Sequence, residues 1–312
     1  MNKPLVSVHI VTYQQRDLIA ETLESVLQQD YAPLQIVVSD DGSTDGTADV
    51  VEDYARRYPD KIIAITGGPN LGISGNSNRC LRRCTGELIA FLAGDDLMLP
   101  GKIAAQVAWF QADSARVLCA HDVEHFDSAS GRTLRLHSSI TAPRSGAGVG
   151  EFLGRGYFSA TSSIMVRASS LPSYGFDERI RVHSDWKLAA DCLVGGGKFG
   201  YVPGVLGRYR RHDRNATSVF SNLRWVERHV GLGILEAEHP ELMAACELAR
   251  AYAYLQRAVA LVQAGQGHEA RLAFRNAVAH SPTVSWKLPA WWALSFVPSS
   301  LLPRRLRGGT GA

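Results

Sequence analysis

The sequence predicts an α/β fold: a mostly parallel central sheet flanked by helices, followed by a small C-terminal helical region. Three observations carry this. Between Leu5 and Ala120, short apolar runs alternate with segments whose apolar residues recur at helical spacing, the pattern of repeated βα units. Two of the apolar runs, Leu34–Val38 and Leu88–Leu92, lead into the acidic pairs Asp40-Asp41 and Asp95-Asp96. From about Asn222 onward the pattern is helical throughout.

Leu5–Val11 reads as the first strand. Leu18, Ile19, Leu23, Val26 and Leu27 share one face of a helix over 18–27, which Tyr31-Ala32-Pro33 stops. Leu34–Val38 is the second strand. Ser43-Thr44-Asp45-Gly46-Thr47 reads as a turn and helix start, with a helix over Ala48–Tyr58. Ile62–Thr66 is the third strand and Gly67-Gly68-Pro69-Asn70 a turn. A short helix over Gly75–Cys84 precedes the strand Leu88–Leu92. A helix over Pro100–Asp113 opens with proline near its first position, and Val117–Ala120 starts another strand. Residues 137–150, rich in Ser, Gly, Pro and Arg, read as a mobile loop. Ser162–Val166 reads as a strand, and Asp185–Leu193 as a helix ended by Gly195-Gly196-Gly197. Leu248–Val262 and His268–Ala279 form a helix–turn–helix, like one unit of a helical repeat. The expected domains are 1–221 and 222–312.

The chain has 312 residues, 46% apolar and 20% charged, the composition of a globular protein with a sizeable core. A net charge of +3 is too small to argue for a nucleic-acid partner. Cys80, Cys84, Cys119, Cys192 and Cys246 form no CxxC and leave one unpaired, which favours reduced thiols and a cytoplasmic setting. The Leu5–Val11 run is too short for a signal peptide, and no apolar stretch reaches the ~18–20 residues of a spanning helix. Near the end, Trp286, Trp291 and Trp292 precede Arg304, Arg305 and Arg307. This tail is a candidate anchor on the inner face of the cell membrane; the plainer alternative is a terminal helix docked on the core.

Carboxylates at the carboxyl edge of a parallel sheet are placed to meet a ligand. An acid ending the second strand can accept a hydrogen bond from an imide N–H such as that of uracil, although Asp40-Asp41-Gly42-Ser43 is also good turn and cap chemistry. A diphosphate repels bare carboxylates, and a divalent cation reverses that sign. Mg²⁺ or Mn²⁺ takes oxygen ligands and needs only one or two carboxylates when phosphates supply the rest. Asp95 and Asp96 meet that need. His121 and His125 would share a helix face and suit zinc, but they follow a strand and no third ligand is evident. Gly72-Ile73-Ser74-Gly75 lacks the Lys of a Walker loop, yet its N–H groups open a helix and could face phosphate.

Read in order, Val6–Tyr13, Thr22–Gln29, Ile36–Thr47, Thr85–Asp96, Gly175–Glu178, Ser184-Asp185-Trp186 and Tyr209-Arg210-Arg211-His212 resemble the motifs of family 2 glycosyltransferases. The resemblance covers roughly residues 4–220. It implies a GT-A fold and an inverting, metal-dependent transfer of a hexosyl group. The donor would be a nucleotide-diphosphate sugar, UDP-linked, and the acceptor a glycan or lipid-linked molecule in surface polysaccharide assembly. It implies that Thr12, Tyr13 and Asp41 hold the base, with Tyr13 able to stack on it, and that Gly94 and Asp95 also border the nucleotide. Asp96 would ligate Mn²⁺ or Mg²⁺, with Asp95 and His212 close by and Arg210 or Arg211 as a phosphate partner. Asp185 would take the acceptor's proton.

The chain departs from the family pattern at three positions. Ala93 stands where relatives often carry a first Asp, Ser184 where they carry Glu, and Ser77 where many carry Arg, with Arg79 as the substitute. Two rival readings remain. A nucleotidyltransferase would place a Gly-rich basic loop where Thr12-Tyr13-Gln14-Gln15 stands. A catalytically inactive nucleotide-binding scaffold would explain Ala93 and Ser184 as decay. A homodimer is left open.

Overall fold

Strand β1 (Val6–Thr12) lies inside a ten-stranded sheet, paired in parallel with β2 (Leu34–Asp40) on one side and β4 (Leu88–Ala93) on the other. The computed structural model describes residues 3–155, 160–287 and 289–297. Helix α1 (Arg16–Leu27) follows β1, α2 (Thr47–Arg57) follows β2, and β3 (Ile62–Ile65) adds to β2 in parallel. Helix α3 (Gly72–Leu81) leads to β4. Val6, Val8 and Ile10 are fully buried, as are Ile36, Val37 and Val38. Such continuous apolar runs mark parallel strands covered on both faces.

Beyond β4 the sheet is mixed. β5 (Leu97–Met98) and α4 (Lys102–Gln111) precede the long β6 (Arg116–Asp127), which carries the exposed β7 (Thr133–Leu136) on its flank. β8 (Gly146–Ala147) and α5 (Gly148–Arg155) follow. β9 (Met165–Arg167) runs antiparallel between β4 and β6. Helix α6 (Ser184–Val194) precedes β10 (Lys198–Arg211), which pairs in parallel with β6 and antiparallel with β5. The strand order is β3-β2-β1-β4-β9-β6-β10-β5, with β7 on β6 and β8 on β10.

Three segments differ from the reading of the sequence. The strand expected over Ser162–Val166 begins only at Met165, and Thr161–Ser163 is a 3-10 turn. Residues 137–150 are only partly a loop: a 3-10 turn covers His137–Ser139, and β8 and the start of α5 fall inside the range. A two-residue strand is too short to leave a period in the sequence. β10 is interrupted on paper by Pro203-Gly204, and the chain accommodates them with register shifts between Val202, Val205 and Gly207, the bulged geometry in which proline is tolerated in a sheet. His121 and His125 lie in β6, not on a helix. The described residues contain no group of three His, Cys, Asp or Glu side chains placed to hold a metal.

Residues 3–152 and 160–227 form one compact unit, and 153–155 with 228–297 form a second. After α7 (Ala216–Val219), helix α8 (Ser221–Glu238) runs from the first unit into the second. In the second, α9 (Met243–Gln263) and α10 (Gly267–His280) pack through Ala251, Ala258, Ala270, Ala273 and Ala277. In α11 (Pro289–Leu294), Trp291 and Trp292 lie against that cluster, Trp292 with its ring 5.9 Å from Phe274. Those two tryptophans are thus docked within their own unit. The Trp286 side chain, Arg304, Arg305 and Arg307 lie outside the described residues. Among the described residues no helix is long and apolar enough to cross a membrane.

Candidate active site

The strand order reverses between β1 and β4, and open α/β sheets bind ligands at the carboxyl ends of strands at such a switch point. Thr12 ends β1, and Gly94, Asp95 and Asp96 follow β4. The Thr12 carbonyl accepts the Asp41 N–H at 2.9 Å. Gln14 holds a left-handed φ of 55°, costly for a side chain of its size. Its N–H donates to Ser43 Oγ at 2.8 Å, and the Gln15 N–H to Thr47 Oγ1 at 2.9 Å. The turn after β2 therefore holds the loop after β1 in its strained shape. Tyr13, at its start, is half exposed.

Asp41 is buried, and its Oδ1 accepts the Leu71 N–H at 2.7 Å. Burial pushes its carboxyl above the usual range, against that bond and the nearby Arg79 guanidinium. Arg79 donates to Ser39 Oγ at 3.0 Å, to Asn76 Oδ1 at 2.9 Å and to the Asp40 carbonyl, and lies 4.0 Å from Asp41. Arg79 Nε and Nη2 thus hold the end of β2.

Asp95 Oδ2 lies 2.8 Å from His212 Nε2, and Asn215 Nδ2 reaches the same oxygen at 3.4 Å. Asp96 is nearly inaccessible, with Oδ1 accepting the Arg210 N–H at 2.8 Å and Oδ2 accepting the Ser162 hydroxyl. Burial, then the adjacent Asp95 charge, holds the Asp96 carboxyl well above the usual carboxylate range. Arg210 is likewise engaged by the protein. Its Nε donates to the Asp95 carbonyl at 2.7 Å, its Nη2 pairs with Glu21, and it is buried. Arg211 lies with its guanidinium 5.9 Å from the Tyr209 ring.

The residues fit a divalent cation of a particular kind. Asp95, Asp96 and His212 supply hard oxygens and one imidazole, and the buried Asp96 carboxyl, strained by its neighbour's charge, gains from a cation. They do not form a finished cage among the described residues. Mg²⁺ or Mn²⁺ bound here would need phosphate oxygens and waters to complete its shell.

Asp185 stands in the first turn of α6. Its Oδ1 accepts the Trp186 N–H at 2.8 Å and lies 3.6 Å from His183 Nδ1. Its Oδ2 accepts the Thr161 hydroxyl. Ser184, in the position where Glu was expected, turns away and bonds Ser74 Oγ at 2.8 Å.

The profile of "Glycosyl transferase family 2" matches residues 7–171, more than half of the chain. The chain belongs to glycosyl transferase family 2. EpsE of Bacillus subtilis (strain 168) is 32% identical over 167 residues, 54% of this chain and 58% of EpsE. WfaP of Escherichia coli, named UDP-Glc:alpha-D-GlcNAc-diphosphoundecaprenol beta-1,3-glucosyltransferase, is 35% identical over 109 residues, 35% of this chain and 42% of WfaP. The chain thus spans less than two thirds of the length of these curated relatives. Among solved structures, S. aureus TarS 1-349 shares the fold with a TM-score of 0.61 at 14% identity, covering 90% of each chain.

In this family 2 glycosyltransferase the residues that sequence reasoning missed are Thr161 and Ser162. They are adjacent in a 3-10 turn, Thr161–Ser163, ahead of β9, and one holds Asp185 while the other holds Asp96. Ser162 Oγ also accepts the Ala93 N–H at 3.1 Å. The only signal in the sequence is a run of three hydroxyl residues before an apolar stretch.

Gly94 illustrates how tightly the end of β4 packs against the loop after β1. A Cβ there would come within 2.5 Å of Gln15 Oε1 and 2.7 Å of Thr12 Cβ. Gly94→Ala is expected to cost about 1–3 kcal/mol of stability through overpacking and to weaken nucleotide binding more than it lowers turnover. Thermal melting alongside calorimetric titration with UDP checks both; a variant with unchanged nucleotide affinity contradicts this placement of Gly94.

Proposed function

We propose that the chain is an inverting glycosyltransferase that moves a hexosyl group from a UDP-sugar to a glycan or lipid-linked acceptor in surface polysaccharide assembly. The observation that carries this reading is the turn at Thr161-Ser162. Two neighbouring residues bond Asp96, to which we assign the metal, and Asp185, to which we assign the proton. A transferase needs those two functions on opposite sides of one anomeric carbon. The names of the relatives support the donor and acceptor classes: WfaP takes UDP-Glc to a lipid diphosphate, and TarS has been solved with UDP-GlcNAc.

Asp41, with Thr12 and Tyr13 beside it, receives the base. Its carboxylate accepts an imide N–H, and the exposed Tyr13 ring offers a stacking face. Gly94 lets Thr12 and Gln15 pack against the end of β4, where Asp95 borders the nucleotide. Asp95, Asp96 and His212 would hold Mn²⁺ or Mg²⁺, which supplies Lewis-acid neutralisation of the departing diphosphate. Asp185 accepts the acceptor hydroxyl's proton as that oxygen attacks. Its negative charge also favours the positive charge that develops on the sugar. The Thr161 hydroxyl fixes the carboxylate's orientation without neutralising it.

Nucleotide release from UDP-, GDP- and dTDP-sugars, with and without EDTA, tests the reading. Release is expected from UDP-sugars, to fall at least about tenfold with EDTA, and to return with Mn²⁺ or Mg²⁺. Release indifferent to EDTA would remove the metal assignment, and preference for GDP-sugars would remove the donor assignment.

A further inference from the structure

Asp185 sits at the end of a short segment whose backbone is gripped from both sides. On one side, Ser74 Oγ of α3 donates to the Ile180 carbonyl at 2.5 Å and meets Ser184 Oγ at 2.8 Å. On the other side is a single carboxylate. Glu227, on α8, accepts the Arg181 N–H on Oε1 at 2.9 Å, and the Val182 and His183 N–H groups on Oε2 at 2.8 and 2.9 Å. Glu227 is 5% exposed.

Three consecutive backbone N–H groups converging on one anion form an anion-binding concavity, here filled by the protein's own side chain. Charge-assisted bonds of this kind are stronger than neutral ones. A buried carboxylate is retained only where such bonds compensate its desolvation. Among the described residues no ion pair of Glu227 is seen, and its bonds go to the main chain two to four residues before Asp185. Backbone donors persist through side-chain substitution, so the Glu227 carboxylate is the part of this grip that a substitution can remove.

We propose that Glu227 is a positioning residue for the transfer step: it fixes the 181–183 backbone so that Asp185 enters α6 at the place from which it reaches the acceptor hydroxyl. This rests on the reading of Asp185 as the proton acceptor. A misplacement of about 1 Å at a reacting group can cost on the order of a hundredfold in rate, and Glu227 binds all three N–H groups of this segment.

The test is a double-mutant cycle between Glu227 and Asp185, read as kcat and donor KM for nucleotide release in the presence of acceptor. E227A is expected to lower kcat about a hundredfold with donor KM within about twofold. E227D, which restores the charge, is expected to recover part of the loss. In a D185N background E227A is expected to have no further effect, because the two act as one unit. If E227A does not fold, as judged by circular dichroism and gel filtration, E227Q and E227D carry the same cycle. A kcat for the folded Glu227 variants within twofold of the parent overturns the proposal. So do losses that multiply with D185N, which would mark a general structural role. A D185N enzyme that transfers at the parent rate identifies a different failure, that of the Asp185 reading itself, and the proposal falls with it.

Discussion

Asp185→Asn is expected to lower the transfer rate by about 10²–10⁴-fold, the contribution of a positioned general base, while leaving donor affinity unchanged. The substitution keeps the side chain's shape and leaves an acceptor oxygen for the Thr161 hydroxyl or the Trp186 N–H, so the fold has no reason to fail. The loss should sit in kcat, because the carboxylate is asked for a proton only as the new bond forms. Steady-state kinetics with saturating donor, together with titration of UDP, separates the two effects. Full transfer with intact donor binding would rule Asp185 out as the base.

Asp96→Asn is expected to have an equally large effect on activity and an opposite effect on stability. The Asp96 carboxyl is held well above the usual range by burial and by the charge of Asp95. A carboxyl whose folded value is raised keeps its proton in the native state after the unfolded chain has lost it. Its contribution to stability is therefore fully present below the ordinary carboxylate value and is lost as pH rises through the folded value. D96N should melt higher than the parent at neutral pH and close to it at about pH 4. The same variant should lose metal-dependent transfer, and Mn²⁺ should raise the melting temperature of the parent but not of D96N. Melting curves at the two pH values, with and without Mn²⁺, check all three. A variant that melts lower than the parent at neutral pH would show that Asp96 is a stabilising buried acid and not a strained one.

What was legible in the sequence depended on how local the cause was. The parallel half of the sheet announces itself because β1, β2 and β4 are buried on both faces and read as unbroken apolar runs. The acidic pairs were visible for the same reason: they sit where those runs stop. β10 was hidden by Pro203-Gly204, whose accommodation depends on neighbouring strands that no local window contains. The structural duty of the arginines was not legible. Arg79 and Arg210 carry the charge a phosphate wants, and the fold also uses them to hold the Asp40 and Asp95 carbonyls. The hydroxyls of Thr161 and Ser162 and the carboxylate of Glu227 act on partners between 24 and 69 residues away. Nothing near them in the chain distinguishes them from ordinary polar residues.

The shared turn at Thr161-Ser162 also limits how this enzyme can change. Its two hydroxyls are set by one stretch of backbone, so any substitution that slides the turn moves both acids together. On the proposed roles, grip on the leaving group and reach toward the incoming hydroxyl would then be inherited as one variable. Donor preference could drift around Asp41, which lies at the end of another strand, without disturbing that linkage.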